Sequence, residues 1–256
     1  MSEDPTGAEI AEDAPNALGG KAEQSWPRMA ALAVAAGVLI GFGGIAFLIV
    51  QATPAVTGPV QLLSGLAFSA GLMMVMVTGA ELFTGNVMFA LPVATGRLSP
   101  ARLAGAWTVV WLGNLVGSLV VALLFRWAGG LEGLDSAVGE AAVRIAEGKL
   151  AKGTGTTIAS GVLANVLVCL AVWMAMGAGS LSAKAVALAA PVTVFVAAGF
   201  EHSVANMSLI PMGLFAGAEG DVAGLARNLA LSTVGNVVGG IAVALGLGIA
   251  HASDEA

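Results

Sequence analysis

Three ionisable side chains interrupt long apolar stretches of the chain, and they are where chemistry could be done. They are Glu81, Glu201 and His202. An ionisable group at the centre of a bilayer costs about 2.5–3.5 kcal/mol even on the gentle insertion scale, so it persists only where it is paired, hydrogen-bonded or facing water. For the two glutamates the ordinary reading is structural: a carboxylate beside a broken helix can accept from the freed backbone N–H groups. His202 differs, because an imidazole exchanges a proton near neutrality. Its ordinary reading is a satisfied core histidine. Glu201 and Ser203 flank it, but successive helical residues point about 100° apart, so no Ser-His-Glu triad follows. The chain shows no His-Glu-x-x-His, no cysteine cluster and no phosphate-cradling loop. The expectation is therefore a protein that is not an enzyme and carries no metal or cofactor. The single Cys169 reads as core packing.

Long apolar elements must hold these groups. Of 256 residues, 57% are hydrophobic and only 10% charged, and the mean hydropathy is +0.91. A soluble domain carries about a quarter charged residues, so this surface suits lipid. A helix crossing the hydrocarbon needs about 20 apolar residues. By that measure the spans are Met29–Val50, a second from Val60, Leu103–Phe125, a fourth within Gly153–Gly177, a fifth from Ala185 and Asn228–Ala250. The second and fifth stay apolar too long for one crossing, and each reads as a broken helix. Trp26, Trp107, Trp127 and Trp111 lie near span ends, where indoles favour the interface. Residues 1–27, with Glu3, Asp4, Glu9, Glu12, Asp13 and Glu23, read as a disordered acidic tail without signal-peptide features. Residues 251–256 form a short C-terminal tail. No basic patch points to nucleic acid.

The interruptions repeat. Glu81-Leu-Phe-Thr-Gly-Asn86 and Glu201-His-Ser-Val-Ala-Asn206 share a Glu-x4-Asn pattern 120 residues apart, with Pro92 and Pro211 following. Gly113-Asn114-Leu-Val-Gly117 and Gly235-Asn236-Val-Val-Gly239 match 122 residues apart. Two copies of a three-helix unit, about 28–128 and 153–250, must face opposite ways, as in inverted-repeat transporters whose paired broken helices meet at the midplane. Together they make one channel domain over 28–250. Apart from the linker between Trp127 and Lys152, one side carries Lys21, Arg28, Arg97, Arg102 and Lys184, the other only Arg227. The positive-inside rule then places both termini in the cytoplasm.

Three stretches resemble signatures of the formate/nitrite transporter family: Gly79-Ala-Glu-Leu-Phe-Thr-Gly-Asn86, Asn165-Val-Leu-Val-Cys-Leu-Ala-Val-Trp173 and Gly199-Phe-Glu-His-Ser-Val-Ala-Asn-Met207. The resemblance covers about residues 28–250 in the same order. It implies an all-α, aquaporin-like protomer in the inner membrane, assembled as a homopentamer with one pore per protomer. It implies a pore passing a small monovalent anion or its conjugate acid, linked to protons. It assigns His202, Thr84 and Asn165 to the polar centre, Leu72, Leu82 and Phe83 to one apolar constriction, and Phe68, Val168 and Phe195 to the other. Lys149 is the implied anion-attracting lysine, with Lys152 as competitor; Glu81, Asn86, Glu201 and Asn206 belong to the helix breaks. The short link from Phe215 to Arg227 leans towards the nitrite branch. Hydrosulfide, short-chain carboxylates and a neutral solute such as ammonia or water are the alternative cargoes.

Overall fold

The computed structural model describes residues 5–252. Helix α1 spans Gly7–Ala22, α2 Trp26–Gln51 and α3 Gly58–Thr78. A broken stretch follows: α4 (Phe83–Asn86), a 3-10 turn over Val87–Phe89 and α5 (Ala90–Ala94). Then come α6 (Pro100–Trp127), α7 (Ala137–Leu150), α8 (Thr154–Met176), α9 (Leu181–Ala197), α10 (Ser203–Ala216) and α11 (Val222–Ala252). Five of these, α2, α3, α6, α8 and α11, are long and apolar enough to cross a membrane. The fifth apolar stretch, read from the sequence as a broken helix, is divided between the 17 residues of α9 and the 14 of α10.

Local chemistry sets the ends. Ser99 accepts from the Arg102 N–H ahead of α6, and Ser180 from the Ala183 N–H ahead of α9, each filling an orphan donor of a first turn. At the breaks, Gly79 and Gly199 have φ of 70° and 67°. A Cβ disfavours this left-handed conformation, so glycine stops both α3 and α9.

α2 packs against α6 and α3 as α8 packs against α11 and α9, and α3 meets α9. Glycines allow the closest approaches. A Cβ on Gly117 would collide with the Val34 carbonyl across α6 and α2, and one on Gly239 with the Val162 carbonyl across α11 and α8. Small residues permit this backbone contact where lipid supplies no hydrophobic drive between helices.

One expectation needs correction. Residues 7–22 of the supposed disordered tail form α1, opened by a Thr6–Glu9 capping box. Ala14, Leu18 and Ala22 recur at four-residue spacing and are buried, and α1 lies against α5 and α11. Acidic composition hid that stripe. Glu3 and Asp4 of the expected tail, and 253–256 of the C-terminal one, lie outside the described residues. Trp107 and Trp111 are half-buried, and their indole N–H groups donate to the Asn86 carbonyl (2.9 Å) and to Thr233 Oγ1 (3.0 Å).

Candidate functional site

Each break exposes main-chain groups, and an asparagine from a neighbouring helix takes them up. Asn114 on α6 accepts the Phe83 N–H (2.8 Å) and donates to the carbonyls of Ala33 (2.8 Å) and Glu81 (2.9 Å). Asn236 on α11 repeats the pattern, accepting the Ser203 N–H (2.8 Å) and donating to Gly161 (2.8 Å) and Glu201 (2.9 Å). A primary amide can do this because it presents donor and acceptor together. The expectation that the glutamates accept backbone N–H groups is therefore replaced: the asparagines fill that role.

The carboxylates are held by side chains instead. Glu81 accepts from Asn86 (2.7 Å) and Gln24 (2.7 Å), with Lys21 Nζ at 3.4 Å. Glu201 accepts from Asn206 (2.6 Å), Asn228 (3.3 Å), Lys152 (2.6 Å) and Lys149 (3.3 Å). Both are buried, and a buried charge is tolerable only with such partners. Lys21, Gln24 and Asn228 escaped the sequence reading. Lys21 pairs with an acid sixty positions away, which no local pattern encodes, whereas the repeated Gly-Asn-x-x-Gly, read from the sequence as evidence of duplication, was a signal for Asn114 and Asn236.

Between the two breaks, Thr84 Oγ1 lies 2.8 Å from His202 Nε2. The other ring nitrogen, Nδ1, accepts the Ala205 N–H at 3.0 Å, so His202 is the N-cap of α10. A nitrogen that accepts carries no proton, so the neutral ring bears its hydrogen on Nε2 and donates it to Thr84. The ring stacks on Phe195 (centroids 5.6 Å apart), which meets Phe68 edge-on at 6.0 Å. Asn165 donates to the carbonyls of Thr84 (3.2 Å) and Asn236 (2.6 Å), and its Oδ1 has no hydrogen-bond partner.

Two cavities flank this bond. The larger, about 220 Å³, is lined by Phe68, Phe195, His202, Arg144, Lys149 and Lys152 among others. The smaller, about 100 Å³, is lined by Lys21, Val75, Leu82, Gly85, Asn86 and Val172 among others. His202 faces one cavity and Gly85, next to Thr84, the other, so the Thr84–His202 bond belongs to the wall between them. Leu72 stands on α3 a turn from Phe68 and a turn from Val75, and Val168 on α8 a turn from Val172; both are buried. Phe83 departs from its expected place. Its ring meets Trp107 edge-on at 6.4 Å and lines a separate recess with Trp111 and Thr233. Outside the spans, burial pushes the Lys149 pKa down, opposed by the Glu201 charge and helped by the like charge of Lys152.

The family model described as formate/nitrite transporter matches residues 8–249. The chain belongs to the formate/nitrite transporter family. Among curated members, the formate channel FocA of Escherichia coli strain K12 is 40% identical over 186 residues, which is 72% of this chain and 65% of FocA's own length. The nitrite transporter NirC of Salmonella typhimurium is 39% identical over 199 residues, 72% of this chain's counterpart being covered and 76% of this chain. Among solved structures, a pentameric formate channel with formate bound superposes with a TM-score of 0.75 at 34% identity, covering 84% of this chain and 92% of that one. With its apolar helices, this family membership makes the chain a multi-pass membrane protein of a channel family rather than an enzyme family.

Proposed function

We infer that this member of the formate/nitrite transporter family conducts a small monovalent anion, or its conjugate weak acid, through each protomer of a homopentamer in the inner membrane. The observation that carries the reading is the Thr84–His202 bond set between two cavities, each bordered by a lysine paired with a buried glutamate. In this reading α2 to α6 and α8 to α11 are two inverted three-span units, with α3–α5 and α9–α10 as the broken helices, and both termini face the cytoplasm.

The physics of the wall sets the mechanism. A bare anion is costly to desolvate among apolar side chains, whereas its neutral acid crosses at far lower cost. The lysines gather anions by charge. Phe68, Phe195, Leu72, Leu82 and Val168 exclude hydrated ions. At the wall, the Nε2–H of His202 donates to Thr84 Oγ1 and so turns the Thr84 hydroxyl proton outward, as a donor to a passing anion. Asn165 Oδ1 offers an acceptor to the acid form. A second proton on His202 must enter at Nδ1 and so displaces the Ala205 N–H. The neutral ring is therefore the resting form, and the charged ring a transient that links flux to pH.

The test is uptake into liposomes carrying the purified protein, with formate, nitrite, hydrosulfide, acetate and lactate compared side by side across pH. Anion-dependent, acid-stimulated uptake is expected, and His202→Phe removes its pH dependence. Uptake of water or ammonia alone, or a pH profile that survives His202→Phe, overturns the reading. FocA and NirC differ from this chain to nearly the same degree, so the lean towards nitrite stands on the short link alone, and this assay decides it.

A further inference from the structure

Two ammonium groups on the wall of the larger cavity share one carboxylate, and they share it unequally. Lys152 Nζ lies 2.6 Å from Glu201 Oε1 and also donates to the Gly199 carbonyl at 2.8 Å. Lys149 Nζ stands farther off, 3.3 and 3.4 Å from the two carboxylate oxygens. Asn206 and Asn228 already occupy Glu201 Oε2, at 2.6 and 3.3 Å. The carboxylate is thus crowded with donors, and one negative charge cannot neutralise two ammoniums. A third cation lines the same cavity: Arg144 spends one donor on the Gln51 carbonyl at 2.9 Å, and no ion pair engages it among the described residues. Three cations against one carboxylate leave two positive charges uncompensated.

The walls around them are apolar, with Phe47, Phe68, Phe195, Phe200 and Leu209. Low-dielectric walls focus such a field into the cavity. The side chain of Lys149 is only 14% exposed, against 27% for Lys152, so the inner ammonium has the weaker hold on Glu201 and the poorer access to water. Its lowered pKa has the same origin. The smaller cavity lacks this arrangement: its Lys21 is, among the described residues, the one lysine within ion-pair distance of Glu81.

We propose that Lys152 is a positioning residue whose grip on Glu201 keeps the Lys149 ammonium free to dock a small carboxylate or oxyanion entering the larger cavity. This rests on the anion-conducting reading above. Lys149 and Lys152 divide the work: the outer lysine satisfies the buried acid that braces the break, and the inner one meets the cargo. Without Lys152, Lys149 becomes the only ammonium available to Glu201, closes on it, and the docking charge is lost although the lysine itself remains.

The test is the initial rate of formate uptake into liposomes holding the full-length protein, measured against formate concentration at low and high ionic strength. Lys152→Gln is expected to raise the half-saturating concentration about fivefold, to flatten its dependence on salt, and to leave the maximal rate within about twofold. Lys152→Arg, whose guanidinium can hold both carboxylate oxygens, is expected to keep the wild-type half-saturation. An unmoved half-saturation in Lys152→Gln overturns the proposal, as does a fall in maximal rate alone, which is what a mere brace would give. If Lys152→Gln does not assemble, Lys152→Arg decides, because a half-saturation raised about threefold or more there is incompatible with the proposed division. No uptake by the wild type refutes the conduction reading and this inference together; wild-type uptake with unmoved variants refutes the inference alone.

Discussion

Asn114 and Asn236 each engage two main-chain groups at a helix break and one carbonyl inside a neighbouring continuous helix. Alanine at either position strands the two groups of the break in a buried site, and each unpaired group costs about 1–3 kcal/mol. Both Asn114→Ala and Asn236→Ala are expected to lose on the order of 3 kcal/mol or more, read as a clearly lower melting temperature in detergent. The duplicated geometry further requires the two losses to be alike; full tolerance of either variant would show that its contacts do not hold the break. Much at this scale was legible. The Glu-x4-Asn pattern located both breaks, and each asparagine of the pattern does bind its glutamate, Asn86 to Glu81 and Asn206 to Glu201. Side-chain direction was not legible. Phe83 belongs to the same motif as Thr84, yet its ring turns to Trp107, because adjacent residues at the start of a helical turn leave the backbone on different sides. The role of Asn114 and Asn236 was hidden for a related reason, since a repeated spacing marks duplication without saying which way the amides point.

Helices report what periodicity can and cannot carry. Apolar length alone placed α2, α6, α8 and α11 to within a few residues at most ends, because hydropathy is summed over many side chains. α1 was missed since its acids dominate a short window, while its apolar stripe consists mostly of alanines. The close crossings were visible as glycine spacing, and they make a sharp prediction. Gly117→Ala and Gly239→Ala each push a methyl into a carbonyl of the facing helix, where main chain cannot yield, and both variants are expected to fail to accumulate as folded protein. Gly246→Ala, on the same helix as Gly239 but with open space around it, is expected to accumulate as wild type. Size-exclusion profiles after membrane extraction read all three, and equal behaviour of Gly239→Ala and Gly246→Ala would refute the close α8–α11 contact.

At the scale of the whole molecule, duplication has a directional consequence. In the proposed inverted arrangement each copy contains an odd number of crossings, which would open the smaller cavity, beside α1, and the larger, beside α7, on opposite sides of the membrane. The orientation proposed from the charge bias would put α1 in the cytoplasm and α7 on the far side. The chain itself supplies a clean background for testing this, since its one cysteine, Cys169, is buried. A thiol placed at Glu140 on α7 or at Glu12 on α1, both exposed, reports the side on which each helix lies. In intact cells, a membrane-impermeant maleimide is expected to label Glu140→Cys and to spare Glu12→Cys until the membrane is opened. Labelling of both before lysis breaks the inverted arrangement, because α1 and α7 then share a side. The reverse pattern keeps the inversion but turns the protein over, and places the three-cation cavity on the cytoplasmic face. That outcome would make the larger cavity the collector for export rather than uptake, so the orientation of α7 fixes which flux the Lys149–Lys152 pair serves.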